Sequence, residues 1–170
     1  MSKKRILLLG GYGNTGRLIA ELLLQETDVC VIVAGRNMDR AQRAADRLNE
    51  AFGNGRALAA YVDAAQPDSL LALLPRMSML VVASGPAAYA RQGAQAARDA
   101  GVDYFDVIYS QEKLAVLREL EPRIDEDGRL FITDGGFHPG LPAALVRTIA
   151  PCFDHLLEAR VGSVIKIDWS

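Results

Sequence analysis

Three glycines near the start of the chain have the spacing of a phosphate-binding turn. Gly11, Gly13 and Gly16 form a Gly-x-Gly-x-x-Gly pattern between the apolar run RILLL and the amphipathic run RLIAELLL. In such turns the glycines permit a tight bend, a close approach of the backbone to a pyrophosphate, and close helix–sheet packing. The pattern favours a dinucleotide site at a helix N-terminus, where Asn14 and Thr15 add hydrogen bonds. The alternative is a glycine turn kept only for packing.

The end of the second apolar run indicates which dinucleotide would bind. NAD-binding proteins usually place Asp or Glu there, to accept from the ribose 2′-hydroxyl. Here the run VIVAG leads into Arg36 and Asn37, and the first carboxylate is Asp39, inside the next predicted helix. An arginine can hold a 2′-phosphate with two parallel hydrogen bonds, so we predict NADP(H) in preference to NAD(H). Arg40 is placed to help and Arg43 to face solvent; the alternative for Arg36 is a solvated loop arginine.

Two further turns are candidate cofactor contacts. Asp63 ends the third apolar run, where it would lie against the adenine ring or, alternatively, cap a helix or a solvated turn. Ser84, Gly85 and Pro86 follow the fourth run; Gly85 would let the backbone pass close to the cofactor, and Pro86 suits the start of a helix. In doubly wound sheets the ligand crevice lies at the ends of the first and fourth strands. A plain turn is the alternative for this segment.

No catalytic residue can be assigned from the sequence. His138 is the one candidate, because an imidazole can act as an acid or a base near neutral pH. With no partner visible, a loop-stabilising or substrate-contacting role is favoured for it. Tyr109 and Lys113 have the Tyr-x-x-x-Lys spacing of short-chain dehydrogenases, but they follow the fifth strand directly, outside the context in which that pair works. We therefore expect Tyr109 at the strand exit and Lys113 at the surface.

The elements that must position these residues alternate along the chain. Most of the strand candidates are continuous apolar runs, which is typical of strands covered on both faces in a parallel sheet. We predict a doubly wound, three-layer α/β/α Rossmann fold with strand order 3-2-1-4-5-6. The predicted strands are 5–10, 29–35, 57–63, 79–85, 103–108 and 129–135, and the predicted helices are 15–25, 38–51, 67–75, 87–100, 111–121 and 140–150.

The last twenty residues follow another pattern. Residues 1–150 hold all six strand–helix units, whereas the stretch EARVGSVIKIDWS alternates apolar and polar residues, as a half-exposed antiparallel strand does. We expect 151–170 to be a linker and the start of a second, substrate-binding domain, or else a strand that pairs with another subunit in a homodimer.

Composition excludes several classes of protein. The 170 residues carry a formal net charge of -2, which argues against a nucleic-acid partner. The first apolar run is too short for a secretion signal, and none is long enough to span a membrane. Cys30 and Cys152 lie among apolar neighbours and suggest buried thiols in a reducing cytoplasm, and no Cys/His spacing suggests a metal. A small molecule is the expected partner.

Several stretches together resemble the saccharopine dehydrogenase-like family. They are GGYGNTGRLIAELL, VIVAGRN, VD at 62–63, VVASGP, GVDYFDV at 101–107 and GGFHPGLP at 135–142, and the last two are the most specific. The resemblance implies that the last loop faces the nicotinamide end of the cofactor, with Gly136, His138, Pro139 and Gly140 near the reaction centre. His138 departs from the acidic or polar residue expected there. The resemblance also implies a second α/β domain that closes over the substrate.

These observations leave three functional hypotheses. The first is an NADP-dependent oxidoreductase that transfers a hydride to or from a small substrate, for example an amino-acid-derived one. The second is a non-catalytic NADP(H)-binding sensor, which needs the same glycine turn and no proton donor. The third is a module without a ligand. Turnover separates the first from the second, and cofactor binding separates both from the third.

Overall fold

A single parallel sheet organises the molecule. The computed structural model describes residues 3–52, 55–83, 85–137 and 140–162. Its strands are β1 (Arg5–Leu9), β2 (Cys30–Gly35), β3 (Ala57–Tyr61), β4 (Met79–Val82), β5 (Asp103–Asp106) and β6 (Phe131–Ile132). They pair in the order β3-β2-β1-β4-β5-β6, and every pair is parallel. The predicted doubly wound fold and its strand order are confirmed.

The described residues form six α-helices, and two of them end four or more residues away from their predicted ends. They are α1 (Asn14–Glu26), α2 (Met38–Phe52), α3 (Pro67–Leu71), α4 (Ala87–Asp99), α5 (Gln111–Glu126) and α6 (Gly140–Ile149). The prediction of a helix over 67–75 is wrong beyond Leu71, because a separate 3-10 turn containing Pro75 follows. Pro75 cannot donate the backbone hydrogen bond of a continuing α-helix. Helix α5 instead runs through Pro122, past its predicted end.

The sheet separates two apolar layers, and this arrangement explains the continuous apolar runs. Along β1, Leu7 and Leu9 face the layer formed with α3, α4 and α5, whereas Ile6 and Leu8 face the layer formed with α1 and α2. All four side chains are buried. A strand that must be apolar on both faces cannot show the alternation of a half-exposed strand.

One part of the sheet is covered loosely. Helix α6 has no buried residue, and Leu145 at its middle is about half exposed. Between α6, α1 and the strand residues Val81 and Phe105 lies an open apolar groove of about 840 Å³. Leu18 and Leu22 on α1 are also more than half exposed. Helix α1 therefore carries exposed apolar side chains on its outer surface, in addition to the buried ones on the face that contacts the sheet.

The expectation that both cysteine thiols are buried is wrong. Cys30 is partly exposed because it is the first residue of β2, at the amino end of the sheet, and Cys152 is exposed in a 3-10 turn after α6. In the described part of the chain, no group of three or more His, Cys, Asp and Glu side chains is arranged to hold a metal. Among the same residues, no helix has the length and apolarity needed to cross a membrane.

Tyr104 is the largest fully buried side chain. It lies on β5, and its hydroxyl donates to the Ala90 carbonyl at 2.8 Å. Burial, together with the nearby Asp106 carboxylate, raises the pKa of the Tyr104 phenol well above its usual range. Ionisation of the phenol is therefore less favourable in the folded chain than in the unfolded chain.

This burial predicts a loss of stability at alkaline pH. Above about pH 10 the unfolded phenol ionises and the folded one does not, so the unfolded chain binds fewer protons and the free energy of unfolding falls. Tyr104→Phe should cost about 1 kcal/mol at pH 7 through the lost hydrogen bond, yet show a shallower decline between pH 9 and 11. Urea unfolding across this range measures both effects. Tyr109→Phe, at an exposed position, is the control and should keep the wild-type slope; identical slopes for all three proteins would contradict the prediction.

Candidate functional site

The glycine turn lies between the end of β1 and the start of α1. Gly10 has a φ of +80°, a conformation that favours glycine, and its N–H donates to the Ala34 carbonyl of β2 at 2.8 Å. The turn also closes on itself, because the Gly13 N–H donates to the Gly10 carbonyl at 2.9 Å. Gly10 was not assigned a role from the sequence; the signal for it was the Gly-Gly pair that directly follows the apolar run.

The other glycines of the motif have different surroundings. A Cβ atom on Gly16 would collide with the backbone of Gly10 and Gly11, so α1 can approach the end of β1 only with glycine there. A Cβ atom on Gly13 would meet only the Gly10 carbonyl, at 3.2 Å, among the described atoms within 4 Å. Gly13 is the N-cap of α1 and brings no side chain to its free N–H groups. These groups therefore remain available to an anionic ligand.

Tyr12 joins the glycine turn to the loop after β2, a role that the sequence analysis missed. Its ring lies against Gly35, where a Cβ atom would collide with it, and its hydroxyl accepts from the Asn37 N–H at 3.2 Å. The Arg40 guanidinium lies 4.8 Å from the centre of the ring, in cation–π contact. The available signal was an aromatic residue between two glycines of the motif.

A cleft of about 400 Å³ brings three of the predicted segments together at the carboxyl edge of the sheet. They are the glycine turn, the Arg36 loop and the turn before α4. The Arg36 side chain is exposed and has no hydrogen-bond or ion-pair partner among the described residues. The cleft is lined by Leu9, Gly10, Tyr12, Gly13, Gly35, Arg36, Arg40, Val62, Ala64, Gly85, Pro86 and Tyr89.

Besides Gly11 and Gly16, which pack within the glycine turn, four other predicted contacts are absent from the lining of this cleft. Asn37 caps α2 by accepting from the Arg40 N–H at 2.9 Å, and Asp63 accepts from the Ala65 N–H at 3.0 Å within its own turn. Thr15 lines the apolar groove, and Asn14 borders a separate groove between α1 and α2. As cofactor contacts all four stay predictions.

Some of the remaining candidates belong to the described residues and others do not. Gly85 has a φ of +93° and packs against the Tyr89 ring, and Pro86 is the N-cap of α4, as its suitability for a helix start suggested. Ser84, His138 and Pro139 lie outside the described residues, as does most of the alternating stretch at the end of the chain. Gly136 and Gly140 are described, and both line the apolar groove beside α1.

The expectation of a surface lysine at position 113 is wrong. Lys113 is buried, and its Nζ lies 2.6 Å from Asp106 Oδ1 and 2.8 Å from Asp134 Oδ1. Tyr109 is exposed instead, and its hydroxyl accepts from the Gln111 side chain. Tyr109 and Lys113 therefore do not form the proton-transfer pair of short-chain dehydrogenases. The sequence could not show this, because Asp134 reaches Lys113 only through the pairing of β5 with β6.

Solved structures similar to this one include several oxidoreductases. The apo saccharopine dehydrogenase (L-Glu forming) of Saccharomyces cerevisiae is 26% identical over 87% of this chain, with a TM-score of 0.69; the chain spans 31% of that protein. Triphenylmethane reductase of Citrobacter sp., solved with NADP(H), is 24% identical over 75% of the chain and 48% of its own, with a TM-score of 0.55. L-Sorbose reductase of Gluconobacter frateurii, solved with NADPH and L-sorbose, is 19% identical over 76% of this chain and 67% of its own, with a TM-score of 0.55.

The two reductases share the fold with this chain at low sequence identity. Their bound ligands therefore do not by themselves indicate which ligand this chain binds. No curated protein sequence gives a significant match. The sequence does match the family model described as the saccharopine dehydrogenase NADP binding domain, over residues 6–129. This match spans most of the chain, from β1 to the residues just before β6, and includes the glycine turn and the Arg36 loop. The chain therefore belongs to the saccharopine dehydrogenase NADP binding domain family.

Proposed function

We propose that this chain is the NADP(H)-binding part of a saccharopine dehydrogenase-like oxidoreductase that prefers NADP(H) to NAD(H). The observation that carries the proposal is the unpartnered Arg36 in the cleft that the glycine turn also lines. At this position the fold requires a group that reads the adenosine ribose, and an exposed guanidinium suits a 2′-phosphate. Family membership supports the same cofactor.

The residues of the cleft fit a dinucleotide in two respects. The pyrophosphate would lie at the N-terminus of α1, where Gly13 leaves the backbone uncovered and the helix dipole favours negative charge. The 2′-phosphate would lie on Arg36, and Arg40, held on the Tyr12 ring, adds a second positive charge to the same cleft. When bound, the nicotinamide carries out the hydride chemistry, and the chain binds and orients the cofactor.

The substrate is proposed by analogy with the yeast relative. That protein is a saccharopine dehydrogenase, so we propose a small, amino-acid-derived substrate for an enzyme that contains this chain. Because the chain spans 31% of the yeast protein, the residues that select the substrate need not all lie on it. A steady-state assay with NADPH and candidate imines or ketones tests for turnover, and cofactor binding without turnover would favour the non-catalytic sensor.

Arg36→Glu should discriminate between the two cofactors. Replacing the guanidinium with a carboxylate removes charge-assisted hydrogen bonds worth about 1.5–3 kcal/mol, so we expect a loss of NADPH affinity of roughly 10- to 100-fold. NADH lacks the 2′-phosphate, and its affinity should change far less. Isothermal titration calorimetry at one salt concentration measures both. Arg43→Glu makes the same charge change on α2, outside the cleft lining, and is the matched control. Equal losses for NADPH and NADH would exclude the phosphate role.

Substitutions of the glycines should separate binding from folding. Gly13→Ala needs only a small shift of the Gly10 carbonyl, so we expect nearly wild-type thermal stability and weakened NADPH binding. Gly16→Ala forces α1 away from the β1 end and should cost about 1–3 kcal/mol of stability, as overpacking does. Gly162→Ala adds a methyl group in open space and is the control. Unchanged NADPH affinity in folded Gly13→Ala would count against phosphate binding at this turn.

A further inference from the structure

Three buried charged side chains and one partly buried threonine lie together at the same edge of the sheet, where β5 and β6 end. We call this group the lysine–aspartate cluster; it consists of Asp106, Lys113, Thr133 and Asp134. Lys113 Nζ donates to Asp106 Oδ1 at 2.6 Å, to Asp134 Oδ1 at 2.8 Å and to the Ile108 carbonyl. The Thr133 hydroxyl donates to the second oxygen of Asp106 at 2.9 Å. The ammonium thus uses all three of its donors within the protein.

The cluster is too deeply buried for its charged atoms to react with a ligand. The side chains of Asp106 and Lys113 are fully buried, and that of Asp134 is 11% exposed. Burying charges is costly even when they are paired, and apolar side chains of similar volume often stabilise a core as well or better. Overall stability is therefore a weak reason for this arrangement. A better reason is that the cluster fixes the relative position of two chain segments, because each hydrogen bond of the ammonium constrains both a distance and a direction.

The segment that the cluster fixes is the start of the loop between β6 and α6. Asp134 has a φ of +57°, in the left-handed region that non-glycine residues seldom adopt. Directly after it, the Gly135 N–H donates to the Asp106 carbonyl at 2.9 Å, and a Cβ atom on Gly136 would collide with the Val107 carbonyl. Since β6 pairs with β5 over only two residues, the sheet itself holds this segment at few points. Lys113 supplies the additional attachment.

The described start of this loop, residues 134–137, lies on the side of the sheet toward which the second half of a dinucleotide would extend. In the order β3-β2-β1-β4-β5-β6, Arg36 follows β2 on one side of β1, and the loop follows β6 on the other side. Thr15 at the N-terminus of α1 lines the same groove as Gly136 and Gly140 of the loop. A ligand with its 2′-phosphate on Arg36 and its pyrophosphate on α1 therefore extends toward this loop.

We propose that Lys113 and Asp134 are positioning residues that hold the loop after β6 against the nicotinamide half of bound NADP(H). They act through the backbone of the loop and do not touch the cofactor. This inference rests on the proposed function and adds to it the residues that prepare the second half of the site.

Two variants test the proposal. Asp134→Asn keeps the size of the side chain and a residue type that tolerates the left-handed conformation, while it removes the charge that Lys113 contacts. Lys113→Met removes the ammonium and keeps most of the aliphatic stem; if it does not fold, Asp134→Asn decides the result. Asp125→Asn makes the same change at an exposed site on α5 and is the matched control.

Each variant is titrated with NADPH and with 2′,5′-ADP, which carries the 2′-phosphate and lacks the nicotinamide. We expect both variants to bind NADPH about fivefold more weakly, as for the loss of one net hydrogen bond, and to bind 2′,5′-ADP as the wild type does. The gain in nicotinamide fluorescence on binding should fall as well. Asp125→Asn should match the wild type in all three measurements.

The remaining outcomes overturn the proposal in distinguishable ways. If folded Asp134→Asn loses affinity for NADPH and 2′,5′-ADP in parallel, or for neither, the lysine–aspartate cluster has no specific effect on the nicotinamide half. If the wild-type chain binds neither ligand, the proposed function fails, and the inference that rests on it fails for that reason.

Discussion

The close approach of helix α1 to the end of strand β1 is the contact on which the site depends. It is possible because Gly16 places no side chain against the Gly10 and Gly11 backbone. The same approach aims the free N–H groups of α1 across the carboxyl edge of the sheet, and it leaves Tyr12 projecting toward β2. Tyr12 then contacts Gly35 and supports Arg40, so the glycine turn and the basic loop form one unit.

The charges at the carboxyl edge of the sheet fall into two groups with opposite properties. On the β2 side, Arg36 is exposed and has no hydrogen-bond or ion-pair partner among the residues that the structure describes, so its guanidinium is available to a ligand. On the β5 and β6 side, Lys113 is buried and its three donors are used by Asp106, Asp134 and the Ile108 carbonyl, so it can fix structure but cannot bind a ligand. A preorganised site needs both kinds of charge: free groups that meet the ligand and satisfied groups that keep the backbone around it in place.

Local sequence patterns predicted the architecture, but they could not predict contacts that form only when distant strands pair. Continuous apolar runs identified a sheet covered on both faces, and the glycine spacing placed the turn correctly at the β1–α1 junction. The lysine–aspartate cluster was invisible, because Lys113 and Asp134 are 21 residues apart and meet only when β6 pairs with β5. Strand β6 was predicted too long because its apolar run gives no sign of the left-handed backbone conformation at Asp134.

The open groove beneath α6 has a practical consequence for spectroscopy. Its walls include Leu22, Phe137 and Leu141, whose apolar side chains are exposed in the folded state. Environment-sensitive dyes such as anilinonaphthalene sulfonate report apolar surface wherever they find it, and they do not distinguish a native groove from a melted core. We therefore expect dye fluorescence from this protein to have a high native baseline, and far-ultraviolet circular dichroism to be the sounder measure of its unfolding.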